Sequence, residues 1–109
     1  MFDAVLGNPP YARVQSFSEK QREQIRNAFR TARGSYDMSV LFVELAGYIC
    51  NHSGIISLIM PHKFLNTASS FGMRSCLENG SADGMSLTKM IHFGASQLFR
   101  GFDTFVWNC

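Results

Sequence analysis

The chain has 109 residues, 46% hydrophobic and 17% charged, an ordinary globular mixture that amounts to one domain at most. No apolar run approaches the roughly 18 residues a membrane-spanning helix needs, and the start Met1-Phe2-Asp3-Ala4 lacks the basic region and long apolar stretch of a secretory signal. Net charge is only +2, but six of the ten basic residues fall between Arg13 and Arg33, so the positive charge is a local patch.

In chain order, Phe2-Asp3-Ala4-Val5-Leu6 reads as a short buried strand that stops at Gly7, because Pro9-Pro10 cannot continue a hydrogen-bonded ladder. Ser18 begins a helix, with Gln21 completing a capping box, and the helix is expected to run to about Ala32 and stop near Gly34. Ile25, Phe29 and Ala32 share one of its faces, and Arg22, Arg26, Arg30 and Arg33 share another. A second helix, from Asp37 as its cap to about Asn51, is apolar nearly all round and therefore expected to be buried on two sides. Gly54 ends the connection to the strand Ile55–Met60, which Pro61 stops; continuous apolar runs of this kind suit parallel strands covered on both faces. Thr67 to Glu78 reads as a shorter helix and Asn79 to Ser86 as a loop rich in Gly, Ser and Asp. Leu87–Phe93 and Thr104–Asn108 read as two last strands forming a hairpin-like pair. The fold class is α/β with a mainly parallel sheet. A buried first strand needs neighbours on both edges, which nothing ahead of Phe2 in this sequence supplies, so the chain reads as part of something larger.

Cys50, Cys76 and Cys109 are odd in number and lack metal-type spacing, which points to plain thiols in a reducing, cytoplasmic compartment and to no metal site. The informative chemistry is Asn8-Pro9-Pro10-Tyr11 directly after a strand, where open α/β sheets bind ligands. An isolated Asn-Pro-Pro is more often a turn. Here Phe2 to Tyr11 as a whole resembles motif IV of the amino-group methyltransferases that use S-adenosylmethionine, and the rest of the chain extends the likeness to bacterial DNA adenine methyltransferases, especially those fused to type IIG restriction enzymes. Tyr36-Asp37-Met38-Ser39-Val40-Leu41-Phe42 resembles their motif V, and Gly54 through Met60-Pro61-His62-Lys63-Phe64-Leu65 their motif VI. Ile91-His92-Phe93-Gly94, Gln97-Leu98-Phe99-Arg100-Gly101 and Thr104-Phe105-Val106 resemble motifs VII and VIII.

The resemblance implies the C-terminal half of a Rossmann-like methyltransferase fold, with a final antiparallel strand. Residues 1–109 would then be a partial domain carrying motifs IV to VIII. It implies that Asn8 and the carbonyl of Pro9 accept the two hydrogens of the adenine amine, with Pro9 and Pro10 fixing the backbone. Tyr11 would stack on the flipped base, Phe99 would be the second aromatic with Phe102 its rival, and the transfer would be a direct displacement. Arg22, Arg26, Arg30 and Arg33 are candidates for DNA phosphates against the alternative of a solvated face that Glu19 and Glu23 partly offset. His62 and Lys63 fit a supporting role better than a catalytic one.

The family's Gly-rich donor loop and its target-recognition domain are not found in these 109 residues, so S-adenosylmethionine binding and the reading of DNA sequence are expected elsewhere in the parent protein, and the isolated chain is expected to be inactive. Alternatives are a release-factor glutamine methyltransferase or ribosomal RNA methyltransferase fragment, or a non-catalytic docking module. The first departs at Ala12-Arg13-Val14, where those enzymes continue with Ile-Pro. The open edge of the first strand further implies a homodimer or larger assembly of the isolated chain.

Overall fold

The computed structural model describes residues 1–60, 73–74, 85–92 and the backbone of 105–108. Strand β1 (Phe2–Gly7) pairs in parallel with β2 (Cys50–Met60); between them lie a 3-10 turn (Val14–Ser16) and two helices, α1 (Glu19–Ala28) and α2 (Met38–Ile49). Strands β3 (Lys89–Ile91) and β4 (Phe105–Asn108) complete a sheet of order β1-β2-β4-β3. Because β4 is antiparallel to both of its neighbours, β1, β2 and β3 share one direction and β4 alone opposes them. This is the α/β arrangement expected from the sequence, including the final antiparallel pair. Of the expected helix at 67–78, only Met73 and Arg74 lie among the described residues; both are helical, and Met73 is buried.

Helix α2 packs on one face of the sheet, and Val40, Leu41, Val43 and Ala46 meet Ile56, Leu58 and Met60 of β2 in the core. Its buried positions cover more than half of the helix circumference at 100° per residue, while Leu45 and Tyr48 remain exposed, so the expected burial on two sides is only partly met. The strands depart from expectation in the same way. β2 alternates, with Ile56, Leu58 and Met60 buried and Ile55 60% exposed, rather than being covered on both faces. β1 lies at the sheet edge and is not buried: Phe2 is 61% and Leu6 76% exposed, and only Val5 packs against the core. Ala4 pairs with Ile55 and Val5 with Ile56, so Leu6 and Ile55 share the uncovered face.

The expected break at Gly54 appears inside β2, as a register shift that lets Phe2 pair with Cys50 and Ala4 with Ile55. Gly54 is required there. A Cβ would collide with the Cys50 sulfur and lie 3.0 Å from the carbonyl oxygens of Asn51 and Asp3. The Asn51 side chain donates to Asp3 Oδ1 at 2.6 Å, tying the irregular segment to β1.

Helix α1 starts as expected. The Ser18 hydroxyl accepts from the Gln21 N–H, and Gln21 Oε1 accepts from the Ser18 N–H at 2.9 Å. It ends four residues early, at Ala28 rather than Ala32, because a tertiary partner captures the next backbone donors. Buried Glu44, on α2, accepts from the N–H of Arg30 at 2.9 Å, the N–H of Thr31 at 2.8 Å, the Thr31 hydroxyl at 2.6 Å and the Tyr48 hydroxyl at 2.7 Å. Burial alone would raise the Glu44 pKa. The hydrogen bonds from Thr31, Tyr48 and Arg30 outweigh it and hold the carboxyl below its ordinary value.

A group whose pKa is depressed on folding stabilises the fold above its unfolded pKa, and that stability is lost as pH falls through the folded value. Glu44→Ala should therefore cost about 2–4 kcal/mol at neutral pH, by leaving the Arg30 and Thr31 donors without their acceptor. Glu44→Gln should cost less and should flatten the loss of stability on acidification below the ordinary carboxyl pKa of 4.5. Urea midpoints of the three proteins, measured from neutral to acid pH, check both expectations.

Candidate active site

Asn8, Pro9, Pro10 and Tyr11 follow β1 without a break. Gly7 pairs with Leu58, two residues before the end of β2, so the loop emerges at the carboxyl ends of both parallel strands. Pro9 is buried, Asn8 and Pro10 are exposed, and Tyr11 is partly buried. Two consecutive prolines fix φ along the loop and leave it with two fewer backbone donors to satisfy.

The far end of the loop is stapled to the start of α2. The Met38 N–H donates to the Ala12 carbonyl at 3.0 Å, and Arg13 and Asp37 form an antiparallel bridge. Asp37 is the cap expected from the sequence; its carboxylate accepts from the Ser39 N–H at 2.9 Å and from the Ser39 hydroxyl. The Asn-Pro-Pro-Tyr loop is thus held at one end by β1 and at the other by the capped terminus of α2.

Within the loop, Asn8 and Tyr11 come together: the Tyr11 hydroxyl donates to Asn8 Oδ1 at 3.4 Å. Burial, and secondly the nearby Asp37 charge, push the Tyr11 phenol above its ordinary pKa, so it stays a neutral donor across the physiological range. The site offers one exposed amide oxygen, a backbone fixed by proline and an aromatic ring three residues on. Those are parts for orienting a planar, amine-bearing group.

The four arginines do not form one helical face. Arg22 and Arg26 lie on α1, where Glu19 binds their guanidinium groups at 2.7 and 2.9 Å. Arg30 and Arg33 fall beyond the end of the helix, where the Arg30 N–H is committed to Glu44 and Arg33 is exposed in the following turn. The physical reason is the early helix end that Glu44 imposes. His62, Lys63, Phe99 and Phe102 lie outside the described residues.

Sequence reasoning missed Glu44 and the bridge role of Asp37, and it gave Glu19 only as a partial offset to the arginine charge. Glu44 did leave a signal: it is the only charged residue within Met38–Ile49, and a lone carboxylate in an apolar helix needs buried partners.

An α/β sheet with a parallel strand pair, and an Asn-Pro-Pro-Tyr loop at the carboxyl ends of that pair, is consistent with part of an α/β methyltransferase fold. Residues 1–99 match the Eco57I restriction-modification methylase family, and the chain belongs to it. It is similar to the type II restriction enzyme and methyltransferase RM.Eco57I of Escherichia coli, 26% identical over 107 residues, which is 95% of this chain and 10% of that protein. It is also similar to the type II methyltransferase M.HincII of Haemophilus influenzae, 27% identical over 108 residues, 96% of this chain and 21% of that protein. The chain therefore spans between a tenth and about a fifth of the length of these relatives.

Asp37→Asn should lower the Tyr11 pKa toward the ordinary phenol value, since it removes the charge while keeping an acceptor that can cap α2. Carbon-13 NMR titration of the tyrosine ring, with Tyr11→Phe to assign the resonance, measures it. An unmoved Tyr11 titration would mean that burial alone sets the shift.

Proposed function

We propose that this chain supplies the acceptor side of a site that transfers a methyl group from S-adenosylmethionine to the exocyclic amine of adenine in DNA, within a longer protein. The observation that carries the reading is the loop itself: Asn8 exposed at the carboxyl ends of parallel strands, beside Tyr11, on a backbone fixed by Pro9 and Pro10. Membership of a restriction-modification methylase family supports the reaction class.

The exocyclic amine of adenine is a poor nucleophile because its lone pair is delocalised into the ring. Asn8 Oδ1 and the Pro9 carbonyl accept the two amine hydrogens, which favours a more tetrahedral nitrogen and frees the lone pair. Because the loop is pinned at both ends, the acceptors need little reorganisation during the reaction. Tyr11 stacks on the base once it has left the duplex, a contact of about 1–3 kcal/mol. Phe99 or Phe102 supplies the second aromatic surface.

When bound, the donor supplies an electrophilic methyl group. Among the described residues no strand runs through a glycine-rich loop into a helix, so the donor's cradle and the target-recognition domain are assigned to other parts of the protein. Arg22 and Arg26 on α1, which follows the loop in sequence, favour a polyanionic substrate over the protein glutamine of the release-factor enzymes.

The open edge of β1 and the apolar face carrying Leu6 and Ile55 are proposed to pair with the rest of the protein, and in the 109-residue chain alone with a second copy. Sedimentation at micromolar concentration should then show a dimer or larger species; a clean monomer with the β1 amides protected from exchange would exclude that.

In the full-length protein, Asn8→Ala should lower the single-turnover methylation rate by orders of magnitude with DNA affinity nearly unchanged, because the acceptor acts mainly in the transition state. Labelled methyl transfer to a duplex substrate measures the rate. Transfer within a few-fold of the unsubstituted protein would reduce Asn8 to a turn residue.

A further inference from the structure

A cavity of about 270 Å³ lies between the 3-10 turn, α1 and the segment that leads into α2. Val14 lines it together with buried Tyr36, Gln15 forms a polar wall, and Arg22 and Arg26 face it from α1. Gly34 lines it as well, at φ 65°, a left-handed turn that a side chain would strain. The Gln15 side chain donates to Ser35 Oγ at 3.3 Å and so links the 3-10 turn to that same turn. Among the described residues no acidic side chain lines the cavity.

Two cations share one counter-ion beside this space. Glu19 Oε2 meets Arg22 at 2.7 Å and Glu19 Oε1 meets Arg26 at 2.9 Å, leaving one positive charge uncompensated within the trio. Glu19 is 70% exposed, and exposed ion pairs of this kind contribute little to stability, so the carboxylate is cheaply displaced. Arg22 has a further unmet need. Its Nε is shut off from solvent and has no hydrogen-bond partner among the described residues. Beside this donor the cavity is lined by two cations, an arrangement that suits an anionic ligand.

We infer that this cavity binds a phosphate group of a nucleic-acid backbone, with Arg22 and Arg26 as its cationic wall and Glu19 as the anion that holds their place. A phosphate suits the site because its several oxygens can bind both guanidiniums at once, whereas Glu19 spends one oxygen on each. The volume lies just under the range of pockets that engulf a whole drug-sized ligand, so it takes a charged group with its immediate attachment. Glu19 gives the free protein a preorganised arginine pair, and phosphate takes over the positions its oxygens occupy. The assignment to nucleic acid rests on the proposed function; the anion site itself rests on the geometry alone.

The test is nitrogen-15 NMR of the arginine Nε–H groups in the 109-residue chain, titrated with inorganic phosphate and separately with a short duplex oligonucleotide. The Arg22 Nε–H resonance should shift saturably with the oligonucleotide, and Arg26→Gln should weaken that binding several-fold. Glu19→Gln should strengthen it several-fold by removing the competing carboxylate. Arg22→Gln should reduce the slope of log affinity against log salt by about one, the signature of a lost phosphate contact. An Arg22 resonance that stays fixed, or drifts without saturating, overturns the site. Saturation by inorganic phosphate with none by the oligonucleotide overturns the nucleic-acid assignment. Neither result depends on catalysis, so loss of methyl transfer in Asn8→Ala with a silent Arg22 would retain the proposed function and reject the cavity. An Arg22 response with no effect of Asn8→Ala would do the reverse.

Discussion

Asp37 is the point on which the arrangement turns. Its carboxylate caps α2, its backbone bridges Arg13, and its charge reaches Tyr11. A helix cap is worth about 1 kcal/mol by itself. Here it also fixes where the polypeptide returns to the sheet after leaving β1. The excursion from Arg13 to Asp37 is closed at its base by that bridge and by the Met38-to-Ala12 hydrogen bond. Without the closure, the Asn-Pro-Pro-Tyr loop would be held only by β1, an exposed edge strand.

Glu44 fixes the same excursion at a second point. It lies seven residues, about 10 Å, further along α2 than Asp37. By taking the Arg30 and Thr31 donors it sets both the end of α1 and the path of the following turn. Between the two anchors the chain must fold back over itself, and the cavity lined by Arg22, Arg26 and Tyr36 is the space this leaves. One apolar helix with an aspartate at its cap and a glutamate near its middle therefore positions both the loop and the basic helix. The anchors also explain why charge alone is a poor guide to this surface. Arg22 and Arg26 keep their helical spacing, whereas Arg30 is drawn toward α2 through its backbone.

Much of the fold was legible in the sequence, for local reasons. The capping box at Ser18 and Gln21, the cap at Asp37, the strand at 55–60 and the final antiparallel pair depend on nearest neighbours and hydrophobic period, which a sequence displays directly. The errors arose where a distant residue decided the outcome. The end of α1 is set by Glu44 across at least 13 residues, which no propensity at Phe29–Ala32 reveals. Burial of β1 and the second face of β2 depends on which neighbours are present, and apolar residues there read alike whether covered or open. The motif loop was found by its chemistry, since Asn-Pro-Pro-Tyr after a strand is a dense signal. The hydrogen bond joining its two ends could not be read, because three-residue spacing within a proline loop does not fix side-chain direction.

That contact bears on how the loop would receive a base. In the free protein Asn8 Oδ1 already has a donor, the Tyr11 hydroxyl, at 3.4 Å. The bond is long and exposed, so exchanging it for an amine hydrogen costs little; a bond in the 2.7–3.2 Å range, or one sealed from water, would oppose entry more strongly. The Tyr11 ring and the Asn8 amide are thus linked by a contact that can be released easily. The prolines prevent the backbone from following when that contact is released. A loop built this way yields its acceptor without yielding its shape, the property that the proposed orientation of a weak nucleophile would require.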